Sequence, residues 1–242
     1  MKRMLIVLCV ALLGCAGAFG GERLGAGVLA DKGAYLAEVT KEMKIAWPSN
    51  HTINIVCHGH SVPAGYFKTP DVRTFDAYPH LLHAGLKERF TNAVMNVIVT
   101  AIGGENSEGG ARRFEADVLT HRPEVVTIDY GLNDRSIGLE RSRKAWEMMI
   151  EQAQRAGVRI ILLTPTPDMK AHLEDTADPL NQQAEQIRSL ARQYHVGLVD
   201  SLAAFKDFAK SGGKIADVMA QGNHPNRRGH EMVAKALLEW FP

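Results

Sequence analysis

The run Thr52-Ile53-Asn54-Ile55-Val56-Cys57-His58-Gly59-His60-Ser61 decides how this chain is read. Its first six residues are rich in apolar and β-branched side chains, the composition of a strand buried on both faces. Gly59 then permits a tight turn, and Ser61 follows in a loop that can present its hydroxyl at the strand's carboxyl end. Four more runs have the same character: Val94–Thr100, Val125–Asp129, Arg159–Leu163 and Val196–Val199. Segments with helical apolar spacing lie between them, at about Ala77–Phe90, Ser107–Thr120, Leu139–Ala156 and Leu180–Tyr194. A last helix, Arg227–Trp240, repeats apolar residues at Met232, Val233, Ala236, Leu237 and Trp240. Pro225 suits the first turn of that helix, and Lys32–Ile45 reads as an extra helix packed outside the sheet. Strict alternation of buried strand and helix predicts a doubly wound α/β fold: a three-layer α/β/α sandwich, flavodoxin-like, around a parallel five-stranded sheet.

The 242 residues suit one such domain with a sizeable core. Apolar residues make up 45% and charged residues 23%, an ordinary globular balance. The net charge is +1, and losing Lys2 and Arg3 would tip it only to the acidic side of neutrality, so nothing points to nucleic acid as a partner. Lys2 and Arg3 precede an apolar run from Met4 to Leu13, the pattern of an export signal occupying residues 1–20. That run is well short of the ~20 residues needed to span a bilayer. Two cleavage readings stay open. Leu12-Leu13-Gly14-Cys15 resembles a lipobox, which would make Cys15 a lipid-anchored first residue and give the chain its one link to a membrane. Ala16-Gly17-Ala18 resembles an ordinary signal-peptidase site. The rest, 21–242, reads as a single domain. Of three cysteines, Cys9 and Cys15 belong to the leader, so Cys57 has no disulfide partner and reads as a small buried side chain.

Three segments besides the Ser61 turn lie where the sheet's ligand edge is expected. Gly103-Gly104 follows the second strand, where a glycine lets a main-chain N–H approach a ligand closely. Gly131-Leu132-Asn133-Asp134 follows the third and puts an uncharged amide donor at the same edge; as a simple turn, the same residues would cap local backbone groups. Asn223-His224-Pro225-Asn226 precedes the last helix, and its imidazole titrates near neutrality, as a general base requires. A serine hydroxyl needs such a base to become a nucleophile.

A Ser, a Gly, an Asn and a His in that order resemble the SGNH (GDSL-like) esterase superfamily, over about Ile53 to Ala236. The resemblance implies Ser61 as nucleophile, His224 as general base, and an oxyanion hole formed by the Ser61 N–H, Gly104 and Asn133. It implies no cofactor and no metal. Three departures stand out. The Gly-Asp-Ser block reads Gly59-His60-Ser61, the Asn that often opens the second block is missing, and Asp-x-x-His reads Gln221-Gly222-Asn223-His224. Changing the orienting Asp of a serine triad to its amide costs roughly 10⁴ in turnover. Gln221 could accept a hydrogen bond from the His224 ring but could not neutralise an imidazolium. A Ser–His dyad, a backbone carbonyl, or another carboxylate among Asp134, Asp200 and Asp217 are the ways around the gap.

The function expected is an exported serine esterase working through an acyl-enzyme. An O-acetyl ester on a carbohydrate is the leading substrate, because His60, Tyr66, Lys68 and Arg73 surround the serine with polar groups. The alternatives are a lysophospholipase- or thioesterase-type acyl hydrolase, and a non-catalytic glycan-binding protein on a degraded scaffold. A flavin- or nucleotide-binding flavodoxin-like domain would need a phosphate loop, and Gly-x-Gly-x-x-Gly spacing is absent after the first strand. His58 and His60, with His80 and His83, form a nominal metal set, though structural roles suit a buried strand exit better. Trp146, Met148 and Met149 read as the packed face of a helix.

Overall fold

A computed structural model describes residues 27–242; the leader, with Cys9, Cys15 and both cleavage readings, lies outside the described residues. The five apolar runs become β1 (Thr52–Gly59), β2 (Val94–Val99), β3 (Val125–Asp129), β4 (Arg159–Leu163) and β5 (Gly197–Val199). They form one sheet in the order β2-β1-β3-β4-β5, with every neighbouring pair parallel. This is the flavodoxin-like order, whose direction of winding reverses between β1 and β3. Ligands bind at such a switch point because the loops leaving those two strands splay to opposite faces. Ser61 follows β1 and Asn133 follows β3.

The helices are α1 (Ala37–Met43), α2 (Ser61–Ala64), α3 (Tyr78–Arg89), α4 (Ser107–Asp117), α5 (Gly138–Arg155), α6 (Pro179–Tyr194), α7 (Ser201–Lys210) and α8 (Arg227–Leu238). Strand alternation sorts the core into two layers. Ile53, Ile55, Cys57, Val125, Ile161 and Leu163 pack with Leu36, Leu82, Leu86, Phe205 and Leu237 from the α1, α3, α7 and α8 side. Val56, Val126, Ile128, Ile160 and Leu162 pack with Phe114, Trp146, Met149 and Leu190 from α4, α5 and α6. Trp146 and Phe114 are fully buried, and side chains of this size contribute about 1.5–3 kcal/mol each when removed from water.

Several expectations need adjustment. The strands are not all buried on both faces: β2 is an edge, and Val94 is half exposed. The first helix covers only part of Lys32–Ile45, and Leu36 and Met43 are fully buried in the core rather than lying on its outside. Met148 is half exposed, while Trp146 and Met149 are buried. Pro225 does not open the last helix. It lies in a short strand, and Asn226 caps α8 through its side chain, 3.2 Å from the Gly229 N–H. A helix not among those expected, α7, follows β5 with Asp200 as its N-cap, accepting from the Ala203 N–H at 3.1 Å. After α7 comes a small antiparallel hairpin of β6 (Met219–Gln221) and β7 (His224–Pro225).

Candidate active site

Ser61 opens α2, so its main-chain N–H has no acceptor within that helix. The turn into it is tight because Gly59 pairs with Asp129 at the end of β3, and a Cβ on Gly59 would lie 2.5 Å from the Asp129 carbonyl oxygen. After one turn, Gly65 ends α2 in the left-handed region at φ 88°. The serine side chain is thus fixed at the sheet's carboxyl edge and is only 6% exposed.

The β6–β7 hairpin carries His224 back to that edge. Its Nε2 lies 2.9 Å from Ser61 Oγ, a hydrogen bond between residues 163 apart in the chain. The hairpin is tied down by Asn226, whose Nδ2 donates to the carbonyl of Asp217 at 2.9 Å. Burial lowers the pKa of His224 below the usual imidazole value; the Phe67 main chain opposes this as an acceptor, and the neighbouring His60 adds to the lowering. His224 Nδ1 is buried without a hydrogen-bond partner among the described residues.

Gln221 is not the group that orients His224. Its Oε1 accepts from the Thr69 N–H at 2.9 Å and its Nε2 donates to Thr69 Oγ1 at 3.2 Å. The amide is spent on pinning the 66–72 loop against the hairpin, so neither end is available to the imidazole. None of the three carboxylates named from sequence takes its place. Asp134 is fully buried and accepts from the Ser107 N–H at 2.7 Å and the Trp146 indole at 2.7 Å. Asp200 pairs with Arg188 and caps α7. Asp217 meets the hairpin through its carbonyl.

Gly104 and Asn133 come together at one cavity, their loops joined through Glu105. Gly104 sits at φ 79°, a conformation that favours glycine, and its N–H is given to no other group among the described residues. Asn133 Nδ2 donates to the Glu105 carbonyl at 2.9 Å, which links the two loops and leaves its second amide hydrogen uncommitted. Behind them Arg113 Nε contacts both Glu105 carboxylate oxygens at 3.0 Å, and Tyr130 OH donates to Glu105 at 2.9 Å. Tyr130 also meets His58 Nε2 at 3.1 Å, and His58 Nδ1 meets Thr100 at 2.8 Å. His58 therefore spends both ring nitrogens on the groups that hold the Gly103–Glu105 loop. Burial lowers its pKa to about 3, with the Arg113 charge adding to the effect.

Two neighbours were not singled out as site residues by sequence. The Tyr66 ring lies 5.8 Å from the His224 ring and packs against Gly103, where a Cβ would meet it at 2.7 Å; it bridges His224 and the glycine loop. Asp129 ends β3 beneath the serine turn, 3.4 Å from His60 Nε2. A sequence scan for carboxylates near His224 passes over it because it lies inside a strand. Cys57 is buried on the same strand as the turn, and desolvation pushes its thiol up to about 12, which makes it unreactive. Among the described residues, no group of three or more His, Cys, Asp or Glu is placed to hold a metal ion.

A cavity of about 560 Å³ opens beside Gly104 and Asn133, lined also by Arg135, Ser136, Lys170 and Asp178. A slightly larger one, about 600 Å³, lies among α5, α6 and α7 away from this chemistry, and its Arg188 and Arg192 are committed to Glu185. A buried Ser–His pair beside free N–H donors and a polar cleft can attack a carbonyl and hold the resulting oxyanion.

Comparison with known proteins bears on this arrangement. Residues 57–232 match the model of the GDSL-like lipase/acylhydrolase family. The chain is similar to an uncharacterized lipoprotein of Bacillus subtilis, 26% identical over 178 residues, covering 59% of this chain and 72% of that one. It is similar to an acetylxylan esterase of Geobacillus stearothermophilus, 22% identical over 156 residues, covering 60% of this chain and 71% of the other. The crystal structure of an acetylxylan esterase from that organism superposes with a TM-score of 0.69 at 20% identity, over 82% of this chain and 96% of the other. A two-domain esterase active on acetylated mannans superposes with a TM-score of 0.70 at 21% identity over 86% of this chain, which spans 52% of that protein.

Proposed function

The chain belongs to the GDSL-like lipase/acylhydrolase family and is a carboxylic ester hydrolase, and on that premise we propose that Ser61 and His224 carry the reaction through an acyl-enzyme on O-acetylated carbohydrate. The observation that carries the mechanism is the 2.9 Å contact between Ser61 Oγ and His224 Nε2, both nearly buried at the sheet's switch point. His224 takes the serine proton as Oγ attacks the ester carbonyl. The tetrahedral oxyanion is held by the Ser61 N–H, the Gly104 N–H and the free hydrogen of the Asn133 amide. The imidazolium then gives its proton to the departing sugar oxygen. In the second half, His224 deprotonates water, which attacks the acyl-serine and releases acetate and free serine. A base with a lowered pKa surrenders its proton readily, which suits a poor leaving group such as a sugar alkoxide.

The carbohydrate assignment is supported by the polar lining of the cleft at Asn133, Arg135, Ser136 and Lys170 and by the acetylated-glycan activities named for two structural relatives. Release of acetate from acetylated xylan, mannan and oligosaccharides tests it. The assignment predicts measurable release from at least one glycan and loss of that release in Ser61→Ala. A second reading, an acyl hydrolase of lysophospholipase or thioesterase type, is favoured by two exposed apolar side chains beside the site. Ile102 is held by the Gly59 carbonyl, and Met169 is held by the Gly222 carbonyl. A p-nitrophenyl ester series separates the two: the acetyl esterase prefers two carbons, and a preference rising to eight carbons favours the second reading.

Export and the single 21–242 domain belong to the same proposal. They are supported by the charged and apolar leader, by the lipoprotein relative, and by the five-stranded sheet with a core layer on each face. Among the described residues no helix is long and apolar enough to cross a membrane. Globomycin treatment of cells producing the protein distinguishes lipid attachment at Cys15 from ordinary cleavage, because it blocks only lipoprotein processing.

A further inference from the structure

His60, where the family's acidic residue is replaced, is fully buried between the nucleophile and a carboxylate. Its Nδ1 accepts the Val62 N–H at 3.2 Å and lies 3.4 Å from Ser61 Oγ. Its Nε2 faces Asp129 Oδ1 at 3.4 Å, and Asp129 Oδ2 accepts the Tyr78 hydroxyl at 3.3 Å. The acceptor role of Nδ1 places the neutral ring's proton on Nε2, which lies 3.4 Å from the carboxylate but outside hydrogen-bond geometry, so the two groups meet electrostatically rather than as a hydrogen-bonded pair. Three consequences follow. Val62 N–H is occupied, so the N–H left free at the start of α2 is that of Ser61. Nδ1 already accepts from Val62 and lies farther from Ser61 Oγ (3.4 Å) than His224 Nε2 does (2.9 Å), so His224 is the better-placed acceptor of the serine proton. A buried carboxylate stands one imidazole away from Ser61, while His224 Nδ1 has no hydrogen-bonded carboxylate of its own among the described residues.

We propose that His60 and Asp129 are positioning residues for Ser61, the imidazole holding the serine turn and the carboxylate supplying, one ring removed, the negative charge that position 221 does not. The inference rests on the reading of Ser61 and His224 as nucleophile and base. Its physical basis is that the proton transfer leaves an imidazolium at His224 in a buried site, where a fixed negative charge nearby is screened far less than in water. The titratable groups around His60 are Asp129 on β3, Tyr78 on α3, Cys57 on β1, Asp134 after β3 and His224 on β7.

Two conservative variants isolate the role. His60→Asn keeps an oxygen able to cap Val62 but cannot reach Asp129. Asp129→Asn keeps the shape and removes the charge. With p-nitrophenyl acetate, each lowers kcat about 10- to 100-fold, well short of the roughly 10⁴ seen when the amide change is made in direct contact with the base. KM changes little, and the double variant falls no further than the worse single one, because the two act as a unit. In Asp129→Asn the acid limb of the kcat/KM profile moves to lower pH, since removing a nearby negative charge disfavours protonated His224. A lowered Tm with unchanged kcat and an unmoved acid limb would reduce the pair to a structural role and overturn the proposal, as would losses that multiply. Inactive wild type, or full activity in Ser61→Ala, would instead overturn the underlying assignment of nucleophile and base.

Discussion

His224 Nε2 is hydrogen-bonded to Ser61 Oγ at 2.9 Å, while the other ring nitrogen of His224 has no well-formed partner. A base held from one side only depends on its hairpin for orientation, and the side chain three residues upstream belongs to that hairpin's anchorage rather than to the ring.

Gln221→Ala therefore removes two contacts to Thr69 and none to His224. We expect kcat on p-nitrophenyl acetate to stay within about threefold, as for surface changes worth roughly half a kcal/mol. KM can rise as the 66–72 loop loosens. A fall in kcat beyond tenfold, with KM unchanged, would mean that the glutamine does orient the base.

Gly104 has open space where a Cβ would project, so its requirement for glycine is purely conformational, set by φ 79°. Gly104→Ala should cost about 1–2 kcal/mol in stability or in displaced backbone. Displacement takes the N–H away from the oxyanion, so kcat falls more than KM rises. Gly104→Asn should recover part of the loss because asparagine tolerates the left-handed region. Equal kinetics for the alanine, asparagine and wild-type proteins would remove Gly104 from the oxyanion hole.

The pKa of His224 is lowered, chiefly by burial, and the reaction needs the neutral ring. Activity is lost as His224 becomes protonated, so the acid limb of kcat/KM should fall below pH 6.5. A limb above pH 7 would contradict this placement of the base.

Stability has its own acid limit. Burial lowers the pKa values of His58 and His230 to about 3, against 6.5 for a free imidazole. The unfolded chain therefore binds these protons first. The stabilisation is complete above pH 6.5 and drains as pH falls from there towards about 3. At pH 5 the two together should cost about 4 kcal/mol, at about 1.4 kcal/mol per pKa unit for each group. Chemical denaturation at pH 7 and pH 5 measures this, and His230→Asn should flatten the slope by about half.

Much of this arrangement was legible in sequence. Continuous apolar runs such as Val125–Asp129 and Arg159–Leu163 marked central parallel strands to the residue, because burial on both faces leaves no room for polar alternation. The edge strand β2 did not obey that rule. The helix α7 carries its own signals, Asp200 as N-cap and Leu202, Phe205 and Phe208 at a three-residue interval, but its ten residues make a short pattern directly behind a three-residue strand. Ser61, Gly104, Asn133 and His224 could be placed at one edge by strand order. What lay beyond reach was pairing that depends on side-chain reach: Gln221 turning to Thr69, and Asp129 lying beneath His60 although 69 positions separate them in sequence. No spacing rule connects a residue inside one strand to the residue just past the end of another.

Every step proposed above starts from Ser61 as nucleophile with His224 activating it. Labelling with a fluorophosphonate, followed by peptide mass spectrometry, tests it most directly, since the reagent captures only an activated serine. The prediction is a single adduct on Ser61, hydrolysis of p-nitrophenyl acetate lost in proportion to labelling, and little adduct in His224→Ala. An adduct on another residue, or full activity in protein labelled at Ser61, would contradict it.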